Sequence, residues 1–533
     1  GNIFTTHTAV PAGFDRFSPE LAGRYLASMA REELQIPVDR LLGLGRRNPN
    51  DPSEEFNMAY LAVRGSGSIN GVSRLHGTVS RRIFAPLFWR WPEAEVPVGH
   101  ITNGVHMPTW DSVEADRLWT DQCGKERWIG ETAALPEQMS VTTNESIWRL
   151  RSRGRKALVN FIRERVAHQL SESGSDPAEI ESARHIFDPG VLTLAFARRF
   201  ATYKRPDLLL HDRDRLLRLL TDSERPVQLV IAGKAHPADE PGKRLLHEWI
   251  DFIRNTAAQS HVVFLSDYDM HLAQRLVEGA DVWINTPRRP WEASGTSGMK
   301  VLVNGGLNIS ELDGWWAEAY RPEAGWAIGD GRDRGDDAAW DATEANALYD
   351  VLEHEVSPQF YTRAPDGMPL EWIEKIRRSM AALTPEYSAT RTVCQYVKES
   401  YLGAASAYRN RMASECQLAV ALVNWRRQLD LEWHKVRIGP AAVTTGEAWN
   451  IFETEIALGN LDPDWVAVEL FADGTGGGSP ERHDMTLNTH GDTLTYVGRV
   501  PSMRPSHDYT VRVVPRFPGA LIPLEANHIT WQS

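Results

Sequence analysis

Between residues 191 and 285 short apolar runs alternate with helical patterns, and this alternation constrains the fold more than any other feature of the chain. The first run, Val191-Leu192-Thr193-Leu194-Ala195-Phe196-Ala197, follows an Asp188-Pro189-Gly190 turn signal. A helical pattern covers Asp207 to Leu220, a second run Val227 to Gly233, and a second helical pattern Gly242 to Ile253. Val262-Val263-Phe264-Leu265, a helix from His271 to Glu278, and Asp281-Val282-Trp283-Ile284-Asn285 complete the series. Runs that are apolar at successive positions suit strands buried on both faces. Strands alternating with helices imply a doubly wound α/β sheet, whose ligands sit beyond the carboxyl ends of its strands. Those ends carry Arg198, Arg199, Tyr203 and Lys204 after the first run, Lys234 and His236 after the second, and Tyr268 after the third.

The fourth run leads into Arg288-Arg289-Pro290-Trp291-Glu292-Ala293-Ser294-Gly295-Thr296-Ser297-Gly298-Met299-Lys300, then Val301 to Leu307. Glycine and serine let a backbone turn tightly and present its N–H groups to an anion, and a helix opening there would aim its positive end at that anion. Lys300 could be a phosphate counter-charge or, if desolvated, an amine nucleophile forming a Schiff base. The G-x-x-x-x-G-K-[ST] spacing of a nucleotide P-loop is absent. On spacing alone an ordinary loop entering a buried helix accounts for the stretch equally well. The convergence of cations and hydroxyls at one sheet edge favours a ligand site.

The other segments look different. Residues 1 to about 185 read as mostly helical with irregular connections, Ser18 capping a helix and Glu145 to Leu170 forming a basic amphipathic one. Long helices return at Glu344–Val356, Leu370–Ala382 and Arg391–Tyr408. An alternating pattern at Ile451, Phe452, Thr454, Ile456 and Leu458 opens a series of short strands at 466–471, 493–500 and 509–514, with a turn at 474–480. These imply a small β-sandwich, and no catalytic set stands out in it.

A chain of 533 residues exceeds one core and implies about three domains. Its net charge of -13 argues against a nucleic-acid surface. Three widely spaced cysteines give neither a disulfide framework nor a metal-ligand set, which fits a reducing cytoplasm and no metal site. No run approaches a membrane span, and the start lacks the pattern of a signal peptide. The chain opens without Met as if in mid-element, so a fragment or processed chain is expected. Nineteen Trp is a high count, suited to sugar platforms or to filling large cores.

Glu292-Ala293-Ser294-Gly295-Thr296-x-x-Met299-Lys300, with Asn304-Gly305 and Leu312-Asp313-Gly314 downstream, resembles the cofactor-lysine signature of the α-glucan (glycogen, starch, maltodextrin) phosphorylases. Other segments agree in order: Thr6-His7-Thr8-x-x-Pro11, Asn70-Gly71-Val72 with His76, Thr102-Asn103-Gly104, Arg198-Arg199-x-x-x-Tyr203-Lys204-Arg205, and Gly233-Lys234-Ala235-x-Pro237. The resemblance covers residues 1 to about 400 and points to a bacterial branch. It implies a GT-B glycosyltransferase fold: the remaining part of an N-terminal domain at 1–185, a Rossmann-like cofactor and phosphate domain at 186–365, helices packing back on the body at 366–412, and a β-sandwich appendage at 413–533.

It also implies pyridoxal 5'-phosphate on Lys300 and reversible phosphorolysis of the non-reducing-end α-1,4 bond of glycogen or maltodextrin with inorganic phosphate, giving glucose 1-phosphate. Lys300, Lys204 and Arg199 are then the catalytic set. Tyr268, Thr296, Ser297, Gly298 and Lys204 hold the cofactor. His7, Arg198, Arg199, Glu292, Ala293, Ser294 and Gly295 hold substrate. A homodimer is one expected assembly. Arg198 replaces the family's usual Lys, Ser297-Gly298 its Gly-Asn, and Gly314-Trp315-Trp316 is bulkier than its usual small-residue version. The family's N-terminal portion, with a glycine-rich loop facing the phosphates, has no counterpart before residue 190. Two other functions stay open: a nucleotide-sugar glucan synthase of the same fold, which the lysine signature opposes, and a truncated, inactive glucan-binding homologue.

Overall fold

The protein is described from a computed structural model covering residues 1–475, 478–489 and 494–532. Its chain divides into two compact units, one of residues 72–76 with 101–396 and the other of residues 1–71, 77–100 and 397–533.

The first unit is built on a six-stranded sheet. Its strands are β1 (Leu192–Ala197), β2 (Val227–Ala232), β3 (Val262–Leu265), β4 (Val282–Asn285), β5 (Leu307–Glu311) and β6 (Gly325–Ile328). They lie in the order β6-β5-β4-β1-β2-β3, and every neighbouring pair is parallel. The four apolar runs form β1 to β4, and the helices Arg213–Leu220, Glu240–Asn255 and Met270–Gly279 connect them. All residues of β1, β2 and β4 are buried, as strands covered on both faces should be.

β5 and β6 lie outside the alternating pattern. β5 reads Leu307-Asn308-Ile309-Ser310-Glu311, and all five residues are buried. Its polar side chains are bonded: Asn308 donates to the Gly298 carbonyl at 3.0 Å, and Ser310 accepts from Asn285 at 2.9 Å. A buried strand with three polar residues does not look apolar, which hides it from a hydropathy reading.

A helix at Asn144–Glu172 crosses this unit, and its arginines are not all a solvated face. Arg151 and Arg155 are buried and share Asp281, at 3.3 and 2.8 Å. Arg151 also donates to the carbonyls of Glu278, Gly279, Ala280 and Asn304. Asp281 accepts from the Thr193 amide, so this one carboxylate fixes the starts of β1 and β4 together.

The second unit has a three-stranded parallel sheet formed by Ile3–Thr5, Ser68–Gly71 and Gly99–His100, where the sequence reads as mostly helical. Ser18 does cap the helix Pro19–Ser28. The later strands make two antiparallel sheets of five and four strands. Along Trp449–Ala457 the side chains alternate, with Asn450, Phe452, Thr454 and Ile456 inward. Ile451, assigned above to the apolar pattern, faces solvent because the period of two points it away from Phe452. Gly476, Gly477 and Thr493, read above as parts of a turn and a strand, lie outside the described residues. The helix read as Arg391–Tyr408 is Ala389–Tyr396, a wide turn at Val397–Tyr401, and Leu402–Glu432 with a break at 413–416. Among the described residues no helix is long and apolar enough to cross a membrane.

Replacing Asp281 by Ala leaves two buried guanidinium groups without their counter-charge. The expected cost is about 3–5 kcal/mol of stability, read as a lower urea midpoint. A change below about 1 kcal/mol would show that the backbone carbonyls alone satisfy Arg151.

Candidate active site

The sheet reverses its order between β1 and β4. The chain builds β2 and β3 on one side of β1 and then crosses to the other side for β4. Loops leaving the carboxyl ends of β1 and β4 therefore diverge and leave a crevice. Arg198, the first residue after β1, is buried there and donates to Asn285, the last residue of β4. Its second guanidinium nitrogen reaches Glu292 Oε2 at 2.6 Å, and Lys204 Nζ reaches the same oxygen at 3.0 Å. The three side chains are at most 10% exposed. Burial pushes the Glu292 carboxyl up, but Arg198 and Lys204 overcome it and hold it below the usual carboxylate range. Burial, then the neighbouring Arg198, bring Lys204 down to about 8.

The residues around this triad are pinned. Lys204 ends a tight turn, and Arg205 follows in the left-handed region with φ 43°. Thr286 donates to the carbonyls of Lys204 and Arg205 at 3.1 and 3.0 Å. Arg205 in turn bonds the carbonyls of Thr286 and Pro287 and pairs with Glu311, Asp341 and Glu344. Burial and the adjacent Glu344 push the Glu311 carboxyl well up. On the far side, Asp313 accepts from the amides of Glu292 and Gly314 at 2.8 and 2.7 Å. Its carboxyl is raised to about 7 by burial. Gly314 has φ +53°, and a Cβ there would run into the carbonyls of Ser294 and Glu292. Ser73 donates to the Ala293 carbonyl at 2.7 Å.

Lys300 lies on the short helix Ser297–Leu302, which no side chain caps at Thr296. Its ammonium sits 3.7 Å from the centre of the Trp110 ring, and no carboxylate among the described residues pairs with it. Burial lowers its proton affinity. Asn304 places the ring by donating to the Trp110 carbonyl at 2.7 Å.

The chain is similar to known proteins. The family profile described as carbohydrate phosphorylase matches residues 46–322. A glycogen phosphorylase of Mycobacterium tuberculosis is 38% identical over 549 residues, covering 97% of this chain and 61% of that protein. The chain belongs to the carbohydrate phosphorylase family. A glycogen phosphorylase of Aquifex aeolicus is 36% identical, covering 75% of this chain and 57% of the relative. A maltodextrin phosphorylase of Thermococcus litoralis is 34% identical, covering 88% and 54%. The chain thus spans less than two thirds of the length of these relatives.

Within the phosphorylase framework the expected site residues fall into three groups. Arg198, Lys204, Glu292, Ala293, Ser294 and Gly295 gather at the crevice, and the Arg198 charge is felt by the half-buried Tyr268 phenol. Thr296, Ser297, Gly298 and Lys300 follow on the short helix, where Trp283 donates to the Ser297 hydroxyl at 3.2 Å. Arg199 is exposed beside the Tyr203 phenol, outside the Glu292 triad, and His7 is exposed in the other compact unit. Asn285, Trp110, Ser73 and Asp313 act on the site without having been assigned a role from sequence. Asn285 was findable as a polar residue ending an apolar strand. The pairing of Trp110 with Lys300 leaves no local signal.

The donor set suits pyridoxal phosphate. An amine that condenses with a carbonyl must be able to lose its proton, and Lys300 is half-buried against an aromatic face without an acid to hold the charge. The Ser294 hydroxyl is buried with no partner among the described residues, as a group awaiting a ligand would be. Elsewhere, Asp350, Glu353 and His354 have metal-ligand spacing, but Arg215 already holds both carboxylates.

Gly314→Ala should displace Glu292 and Ser294, because the new methyl meets backbone rather than a movable side chain. A loss of about 2–4 kcal/mol in thermal or urea unfolding is expected. A stability equal to the parent's would show that the 292–295 loop moves freely.

Proposed function

We propose that this chain carries the cofactor and phosphate side of an α-1,4-glucan phosphorylase with a GT-B arrangement, in which residues 186–365 are the Rossmann-like domain. The reaction is reversible phosphorolysis of the non-reducing-end glucosyl unit of glycogen or maltodextrin by inorganic phosphate, giving glucose 1-phosphate. The observation carrying this reading is the buried triad of Arg198, Lys204 and Glu292 at the sheet reversal, in a chain whose nearby Lys300 has no acid partner among the described residues.

Pyridoxal 5'-phosphate bound through Lys300 supplies a phosphate whose second ionisation, near about 6, lets it exchange a proton at neutral pH. The remaining work falls to the chain's own residues. Lys204 and Arg198 are fixed cations that hold anionic oxygens close together, and Arg199 adds an exposed guanidinium beside Tyr203. The fixed cations are pre-positioned, so little reorganisation accompanies the gathering of charge. Thr296, Ser297 and Gly298 would hold the cofactor phosphate, and Tyr268 would contribute to the same site. Glu292 and the unpartnered Ser294 hydroxyl accept and donate to the hydroxyls of the glucosyl unit.

Glu292 lies between Arg198 and Lys204, so phosphate drawn to these cations would meet a carboxylate already paired with them.

The test is release of glucose 1-phosphate from maltodextrin plus phosphate by the protein reconstituted with pyridoxal phosphate. Lys300→Ala should lose the near-ultraviolet absorbance that the parent retains after dialysis. Lys204→Ala should keep the absorbance and lose turnover. Parent protein with neither the band nor the product would refute the reading, and near-normal turnover in Lys204→Ala would refute that residue's role.

Phosphate affinity should also depend on pH. Lys204 loses its proton as pH rises through about 8, so the cation that attracts phosphate is present below that value and lost above it. Isothermal titration with inorganic phosphate should show weaker binding above about 8. Lys204→Arg, whose guanidinium stays charged, should remove that alkaline decline. A decline unmoved by the substitution would assign it to another group.

A further inference from the structure

Most of the large tryptophans fill cores, Trp119, Trp249, Trp283, Trp315, Trp316, Trp372 and Trp425 being fully buried. Three others border a cleft, Trp433 doing so from the edge of a core. Within the unit of residues 1–71, 77–100 and 397–533, Trp89, Trp433 and Trp531 line a cleft of about 560 Å³. That volume lies within the range of about 300–1,000 Å³ typical of small-ligand sites. Arginine and histidine also line it, and among the described residues no aspartate or glutamate does.

The walls are fixed in advance. Trp531 donates its indole N–H to the Arg90 carbonyl at 2.8 Å and packs edge-on to Phe471 at 5.2 Å. Arg90 holds the left-handed conformation, φ 69°, at the turn that presents Trp89. The Trp433 ring lies 5.3 Å from that of His528, which Asp430 holds at 3.1 Å. Trp89 is 76% exposed, a large apolar face left in water beside a concave surface. Trp433 is only 9% exposed, yet its indole N–H has no partner among the described residues. Both features are costly without a ligand: one leaves an aromatic face wet, the other leaves a buried donor unpaired.

The chemistry selects a glycosyl ring. A pyranose has an apolar C–H face that suits a flat indole and a rim of hydroxyl oxygens that accept from N–H donors. The arginines are poorly disposed to grip a phosphate. Arg437 donates to the carbonyls of His434 and Val436, and Arg90 lies over the Trp89 ring at 5.5 Å. We propose that this cleft is a second carbohydrate site, which holds glucosyl units of an α-1,4-glucan chain against Trp89 and Trp433 and is built from none of the residues around Lys300. The choice of α-glucan rests on the function proposed above. A second hold on the same polymer raises the effective concentration of its chain ends without any new contact at the reacting centre.

The experiment is native electrophoresis of the full protein through gels containing glycogen, with maltoheptaose titrated against tryptophan fluorescence. The variants are Trp89→Ala, which removes an exposed ring; Trp433→Phe, which keeps a ring and drops the N–H; and Glu292→Gln, which leaves the cleft intact. The parent should be retarded, and Glu292→Gln should keep most of that retardation. Trp89→Ala should bind roughly five- to tenfold more weakly, and Trp433→Phe should be weakened less. Equal retardation of parent and both tryptophan variants would overturn the proposal, as would retardation lost only in Glu292→Gln or no retardation of the parent. Fluorescence changes produced by a glucose phosphate and not by maltoheptaose would overturn it in favour of an anion site. Retardation that depends on Trp89 in a protein without phosphorolysis would instead count against the proposed function and leave the cleft standing.

Discussion

A single buried carboxylate, Glu292, organises the crevice, because two cations from the far side of the sheet reversal converge on one of its oxygens. Neither cation could stay buried alone at acceptable cost, and neither could the carboxylate. Each therefore fixes the position of the others. The loop after β1 is tied to the loop after β4, and Arg198 extends the tie into Asn285 at the strand end. The supporting bonds have the same character. Thr286 grips the turn that carries Lys204, and Asp313 grips the backbone of Glu292, so both halves of the triad are held from behind.

The alternation of apolar runs and helical patterns was enough to find β1 to β4 and the edge where the polar residues gather, since burial on both faces leaves a plain mark in composition. The same reasoning passes over β5, because Asn308 and Ser310 are buried by virtue of hydrogen bonds and Glu311 by its pairing with Arg205, and hydropathy registers neither. It also takes the arginines of the 144–172 helix for a solvated face. Arg151 and Arg155 turn inward because Asp281, more than 120 positions away, is there to meet them. Long-range electrostatics of this kind leaves no periodic signal.

For the site, residue types and order pointed to one sheet edge carrying Arg198, Lys204 and the 288–300 segment, and left the contacts there open. Nothing local announces that Glu292 bridges two cations, that Lys300 rests on Trp110, or that Asn304 sets that ring in place. The bulky Trp315-Trp316 pair, unusual beside the family pattern, is absorbed as core. Trp315 packs on Tyr387 at 4.7 Å, and Gly298 leaves room for its ring. The two rings fill the space behind the 292–300 segment.

The shared oxygen also makes the crevice intolerant of single charge changes. Without Glu292 two buried cations would face one another uncompensated, and without either cation the carboxylate would lose one of its two counter-charges. Substitutions here are expected to be accepted only in combinations that keep the charge balance.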